Sequence, residues 1–217
     1  MYKTVVFDLD GTLLNTLTDL ADAGNRLCRK YGWPTHESQA YRYFVGNGIP
    51  KLVERLAPAD QRTPAVLEAA LADFKRDYGQ HLRDTTAPYP GIPEMLAKLK
   101  ANGVQLAVFS NKADALAKEV VKDYFGTQYF TIVRGQMTGV APKPAAEGTN
   151  ALLQALHADP ASTLYVGDSN VDVETAHNAN LPCCGAVWGF RTREELNAAG
   201  AEYLAENSDE LYDVIMK

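Results

Sequence analysis

Five short, almost wholly apolar runs punctuate the chain, at positions 4–7, 105–109, 130–133, 163–166 and 184–188. They are rich in Val, Leu and Phe and lack the alternation of a half-exposed strand, the pattern of strands covered on both faces. Between the later runs the apolar period lengthens. Ile92, Met95, Leu96 and Leu99 recur at spacings of three and four, predicting a helix over 92–101 that stops at Asn102-Gly103. The same spacing predicts helices over 114–124, 145–156, 171–179 and 209–216. Strand alternating with helix predicts an α/β fold around a Rossmann-like parallel sheet.

The stretch from 15 to 85 departs from that rhythm. It holds no β-branched run, but Leu17, Leu20, Ala23 and Leu27, then Leu52, Val53 and Leu56, keep helical spacing, and a long helix is predicted from Pro64 to about Leu82 with proline in its first turn. Turn-rich breaks at 31–34, 46–48 and 57–58 divide it. The organisation expected is an α/β core from 1–14 and 86–217, interrupted after its first strand by an all-helical domain over 15–85.

Composition narrows the classes of function. A 217-residue chain that is 46% hydrophobic can bury a real core, and a formal net charge of -6 argues against a broad nucleic-acid or acidic-membrane footprint. The apolar opening is broken by acids too soon for a secretory signal, and no stretch approaches a membrane span. Cys28, Cys183 and Cys184 make neither a disulfide framework nor a spaced metal quartet. A reducing cytoplasm, no membrane or nucleic-acid partner, and a monomer or homodimer are expected.

Three of the predicted strands end in reactive residues: Asp8 and Asp10 after the first, Ser110 and Asn111 after the second, Asp168 after the fourth. In an open parallel sheet the ligand crevice lies beyond the carboxyl ends of the strands, so the three sets converge if these strands are neighbours. Asp8 and Asp10, two residues apart in extended chain, project toward one side, and Gly11 permits a sharp turn. Asp168 and Asp172 lie one helical turn apart, and with Asp8 they form an all-oxygen set suited to magnesium. The same residues also suit plainer work, as helix caps and first-turn acids. Lys143 is flanked by Pro142 and Pro144, a loop rigid enough to hold its charge against a carboxylate or a phosphate oxygen.

Four segments in this order, VVFDLDGTL (5–13), LAVFSN (106–111), Lys143 in APKP and LYVGDSNVD (164–172), resemble the haloacid dehalogenase superfamily of aspartate-nucleophile phosphotransferases across essentially the whole chain. The resemblance implies a helical cap inserted in a Rossmann-like core. It implies Asp8 as nucleophile and Mg2+ ligand, and Asp10 as general acid and base that also binds the metal through its backbone carbonyl. Ser110, Thr12 and backbone amides near Gly11 and Asn111 would hold the phosphoryl group, Lys143 would steady Asp8 and the transferring group, Asp168 would bind the metal, and Asp172 would support it either directly or through a neighbouring ligand. Segments 44–55, 88–96 and 189–203 look like those of phosphoglycolate phosphatases. That likeness implies a small phosphorylated metabolite as substrate, with Gly46, Asn47, Gly48 and Lys51 contributing from the cap. Pyrophosphatase, phosphosugar mutase and phosphonatase chemistry, or phosphate binding without catalysis, are the alternatives on such a scaffold.

Overall fold

A computed structural model describes all 217 residues, and the chain divides into two compact units, Met1–Leu14 with Pro88–Lys217, and Asn15–Ala87. The first is the α/β unit. Its central sheet takes β1 (Thr4–Phe7), β4 (Gln105–Ala113), β5 (Phe130–Gln136), β6 (Thr163–Gly167), β7 (Cys183–Ala186) and β8 (Tyr203–Ala205) in the order β5-β4-β1-β6-β7-β8, and every pairing is parallel. Two short strands, β2 (Leu14–Asn15) and β3 (Ala87–Pro88), form a separate sheet.

β1 lies at the centre because its sequence suits nowhere else. Val5, Val6 and Phe7 are wholly buried, each contributing roughly 1.5–3 kcal/mol by leaving water. Val6, Ala107 and Tyr165, on neighbouring strands, join Leu152, Leu153 and Leu156 of α7 (Ala146–Leu156) and Val173 and Ala176 of α8 (Asn170–Asn178) in one core cluster. Crossovers α5 (Ile92–Ala101) and α6 (Asp114–Phe125), α9 (Arg193–Ala199) before β8 and the terminal α10 (Ser208–Met216) after it complete the main framework. Register fixes function here. Phe7 pairs with Val108 and with Val166, so Asp8, the segment from Phe109 on, and Asp168 follow side by side from three adjacent strands.

The second unit is helical: α1 (Leu17–Tyr31), α2 (Ser38–Phe44), α3 (Ile49–Leu56) and α4 (Pro64–His81). Its core gathers Leu20, Leu27, Tyr41, Leu52, Phe74 and Tyr78. Gly24 of α1 gives Tyr41 room, since a Cβ there would meet the phenol ring. One polar fastening holds the unit's two ends. Asp19, buried in the first turn of α1, accepts hydrogen bonds from both the amide and the hydroxyl of Thr85 (2.9 and 2.6 Å) and of Thr86 (2.9 and 2.7 Å). No helix of the protein is long and apolar enough to cross a membrane.

The structure departs from the pattern-based elements in instructive places. β4 runs on through Ser110, Asn111 and Lys112 to Ala113, because after an irregularity past Phe109 it pairs with β5 again, Ala113 opposite Gln136. β7 covers 183–186 rather than 184–188; Gly189 then turns back with its amide on Ala186. α2, α9 and β8 were not predicted.

Candidate active site

Asp8 follows β1 immediately, its amide donating to the carbonyl of Val166 (2.8 Å), which continues the ladder one residue past the strand. The chain then turns sharply. Gly11 has φ +93, and a Cβ on it would fall inside the Asp168 carboxylate, so only glycine serves there. Gly189 is constrained likewise, its missing Cβ leaving space for Asp168 and the Gly11 carbonyl.

Lys143 is the hub. Its side chain is buried, and Nζ donates to Asp8 Oδ1 (2.6 Å), Asp172 Oδ1 (2.7 Å), the Tyr165 hydroxyl (3.3 Å) and the Phe109 carbonyl (3.3 Å). Its backbone is held from the side: Asn111 accepts from the Lys143 amide through Oδ1 (2.9 Å) and donates Nδ2 to its carbonyl (3.3 Å). Asp172 ends in a capping box, its Oδ2 accepting from the amide (3.1 Å) and hydroxyl (2.7 Å) of Ser169. Asp168 accepts from the Phe190 amide (2.7 Å) and the Thr12 hydroxyl (3.3 Å). The capping and electrostatic readings of Asp172 therefore coexist in one side chain.

Asp8, Asp168 and Asp172 each offer a carboxylate oxygen within 4.8 Å of the others, all buried. Burial, opposed by Lys143 and reinforced by Asp172 and Asp10, holds the Asp8 carboxyl up at about 7. Burial, then Asp172 and Asp8, raise Asp168 well above the usual carboxylate range. For Lys143 burial works against the charge, but Asp172 and Asp8 overcome it and hold the ammonium well above its ordinary value. Across the site four carboxylates, those of Asp8, Asp10, Asp168 and Asp172, face two ammonium groups, Lys112 and Lys143, a formal balance of −2. An all-oxygen cluster with that deficit fits a hard divalent cation.

Two positions expected at the phosphoryl group are occupied otherwise. The Gly11 amide donates to the Leu14 carbonyl (2.8 Å) and the Thr12 amide to that of Leu9 (3.4 Å), because the turn after β1 closes on itself. Thr12 is wholly buried with its hydroxyl on Asp168, where it orients that acid. Ser110 is buried at the strand end, its hydroxyl accepting from the Lys112 amide (3.2 Å). Lys112 was missed by the sequence reading: it is buried and donates Nζ to both oxygens of Asp10 (3.0 and 3.3 Å). No periodic signal marked it, since Phe109-Ser110-Asn111-Lys112 carries no apolar alternation.

Gly46, Asn47, Gly48 and Lys51 belong to the helical unit. Gly46 and Gly48 take positive φ (104 and 83), forming the turn between α2 and α3. Arg55 holds that turn, donating to the Phe44 carbonyl (2.8 Å) and Asn47 Oδ1 (2.9 Å). Lys51 pairs with Glu54 (2.9 Å) on the exposed side of α3.

Residues 5–186 match the family model for haloacid dehalogenase-like hydrolases. The chain belongs to that family. Curated relatives agree: it is 31% identical over 98% of its length, and 96% of theirs, to the phosphoglycolate phosphatase of Chromobacterium violaceum, and 32% identical over 90% of its length, and 73% of theirs, to that of Pseudomonas putida. Among solved structures, a predicted phosphoglycolate phosphatase from Haemophilus somnus superposes with a TM-score of 0.89 at 25% identity, covering 98% of this chain and 97% of that one. CbbY from Rhodobacter sphaeroides in complex with xylulose-(1,5)bisphosphate, at 22% identity, a TM-score of 0.81 and coverage of 97% and 96%, shares the fold. This haloacid dehalogenase-like hydrolase is thus a phosphatase-class enzyme, a phosphoric monoester hydrolase.

Proposed function

We propose that the protein hydrolyses small organic phosphate monoesters through an aspartyl-phosphate on Asp8, with Mg2+ held by Asp8, Asp168 and Asp172 and the backbone carbonyl of Asp10, and that its substrate is 2-phosphoglycolate or a similar short acid. The observation carrying this reading is the Lys143 bridge between Asp8 and Asp172 beside Asp168, a cation site and a fixed carboxylate built at one point. The likeness to phosphoglycolate phosphatases supports the substrate.

Lys143 on Oδ1 fixes the rotation of the Asp8 carboxylate and leaves Oδ2 to attack phosphorus. As the new P–O bond forms, the ester P–O bond breaks and its electrons go to the departing oxygen, which takes the proton of the Asp10 carboxyl. Water then attacks the phosphorus of the aspartyl-phosphate, Asp10 takes its proton, and inorganic phosphate leaves with Asp8 restored. Bound Mg2+ supplies charge neutralisation for the transferring group. Lys143 supplies the same from a position that cannot drift, and the Ser110 hydroxyl stands ready for a phosphoryl oxygen.

The test is phosphate release from 2-phosphoglycolate with Mg2+ and with chelator. Turnover is expected only with the metal, and Asp8→Asn is expected to lower kcat by more than about a thousandfold, the scale on which loss of a nucleophile acts. Hydrolysis by Asp8→Asn at the parent rate would sink the assignment.

A further inference from the structure

Lys112 joins the site by a route that the other groups do not share. Ser110 and Lys112 lie two residues apart near the end of β4, where its pairing with β5 becomes irregular, and the Lys112 amide donates to the Ser110 hydroxyl oxygen (3.2 Å). The Lys112 side chain is 3% exposed and grips both oxygens of Asp10. Asp10 itself lies beyond the paired part of β1, on the turn that Gly11 makes, with its own side chain 20% exposed. This one ammonium engages both oxygens of the Asp10 carboxylate. Lys143, by contrast, makes its contacts with Asp8 and Asp172.

We infer that Lys112 is the positioning residue for Asp10: it fixes the direction in which the Asp10 carboxyl presents its oxygens for proton transfer, as Lys143 fixes Asp8. The inference rests on the acid–base reading of Asp10 above. A buried ammonium reaching two oxygens of one carboxylate removes the free rotation that a lone acid on a turn would keep, and proton transfer is sensitive to that geometry. The site then holds two lysine–aspartate pairs with separate tasks, one for the nucleophile and one for the proton.

The leaving group separates this role from phosphate binding. An alkyl ester such as 2-phosphoglycolate needs its departing oxygen protonated; p-nitrophenyl phosphate does so far less, since nitrophenolate leaves unaided. Single-turnover formation of the phosphoenzyme is measured with both esters, with Mg2+, for the parent, Asp10→Asn, Lys112→Met, Lys112→Arg and the double variant Asp10→Asn/Lys112→Met. The expected result is a loss of about 10- to 100-fold with phosphoglycolate in Lys112→Met, within the scale of general acid catalysis. That loss should exceed the loss with the aryl ester by about tenfold, with KM changed less than about threefold in steady state. Lys112→Arg should recover most of it, and the double variant should be no slower than Asp10→Asn alone, since residues acting as one unit are not additive.

Equal losses on both esters with a raised KM would overturn the inference and make Lys112 a phosphate ligand. Additive losses in the double variant, or parent-like rates in Lys112→Met, would overturn it too. If Asp10→Asn alone ran at the parent rate, the acid–base reading of Asp10 would fail, separately from Lys112. Should Lys112→Met not fold by circular dichroism, Lys112→Gln is scored by the same ratio.

Discussion

Four acceptors surround three protons at Lys143. The ammonium must share them, and its strongest partners are the two carboxylates, so its charge is locked in place and its position follows from theirs. Asn111 does the rest by holding the lysine's own amide and carbonyl, which makes an asparagine after a reactive serine a scaffold part rather than a loose contact. The cysteines show the opposite case, groups made inert by burial. Burial raises Cys28 to about 11 and Cys184 to about 12, and Cys183 well above its ordinary value. Such thiols keep their protons in the folded state after the unfolded chain has lost them, so their contribution to stability is complete below about pH 9 and is lost as pH climbs from there through 11–12. The native protein should therefore show no thiol reacting with DTNB at pH 8 in the time that the urea-unfolded chain shows all three, and its urea midpoint should fall between pH 9 and 11. Prompt labelling of the native protein would contradict the buried placement.

At the scale of elements, the Asp19 fastening makes the sharpest prediction. Asp19→Ala removes one carboxylate and leaves two amides and two hydroxyls at Thr85 and Thr86 without it. A loss of about 3 kcal/mol in unfolding free energy is expected, read from the denaturant midpoint, because hydrogen bonds to a buried charge are the costly ones to break. Sequence periodicity could not show this, since Asp19 sits in a helical stretch as an ordinary first-turn acid. The central strands were legible because Val5, Val6 and Phe7 are buried all round and leave a continuous apolar run. α2 and β8 were not: Ser38–Phe44 carries its burial on one residue, Tyr41, and Tyr203–Ala205 is three residues long at the sheet's edge. The same limit hid Lys112. A lysine marks no strand, and β4 was ended at its last apolar residue although the extended backbone carried on. That Asp8, Asp168, Asp172 and Lys143 lie together was legible from their chemistry and order; that the Thr12 hydroxyl meets Asp168 is a fact of packing, visible only once Gly11 and Gly189 are seen to make room.

For the whole molecule, a site with a formal balance of −2 should make stability depend on divalent cations. With Mg2+ at about 100 times its dissociation constant, roughly 2.7 kcal/mol is expected, a rise in thermal midpoint of about 5–10 °C for a chain of this size. Asp168→Asn should shrink that shift markedly, and an undiminished shift would place the ion elsewhere. Of the formal net charge of -6, the site itself holds a balance of −2, the part that a bound divalent cation would neutralise. The Asp19 fastening reaches further than stability. It ties the start of the helical unit to its end across 66 and 67 positions of sequence, so the stretch between behaves as a closed loop whose size is thermodynamically cheap to change, about 0.6 kcal/mol for each doubling. Helices could be lengthened, lost or replaced within that loop while its two ends stay together, and an unrelated insert of different length could be grafted behind the same clasp.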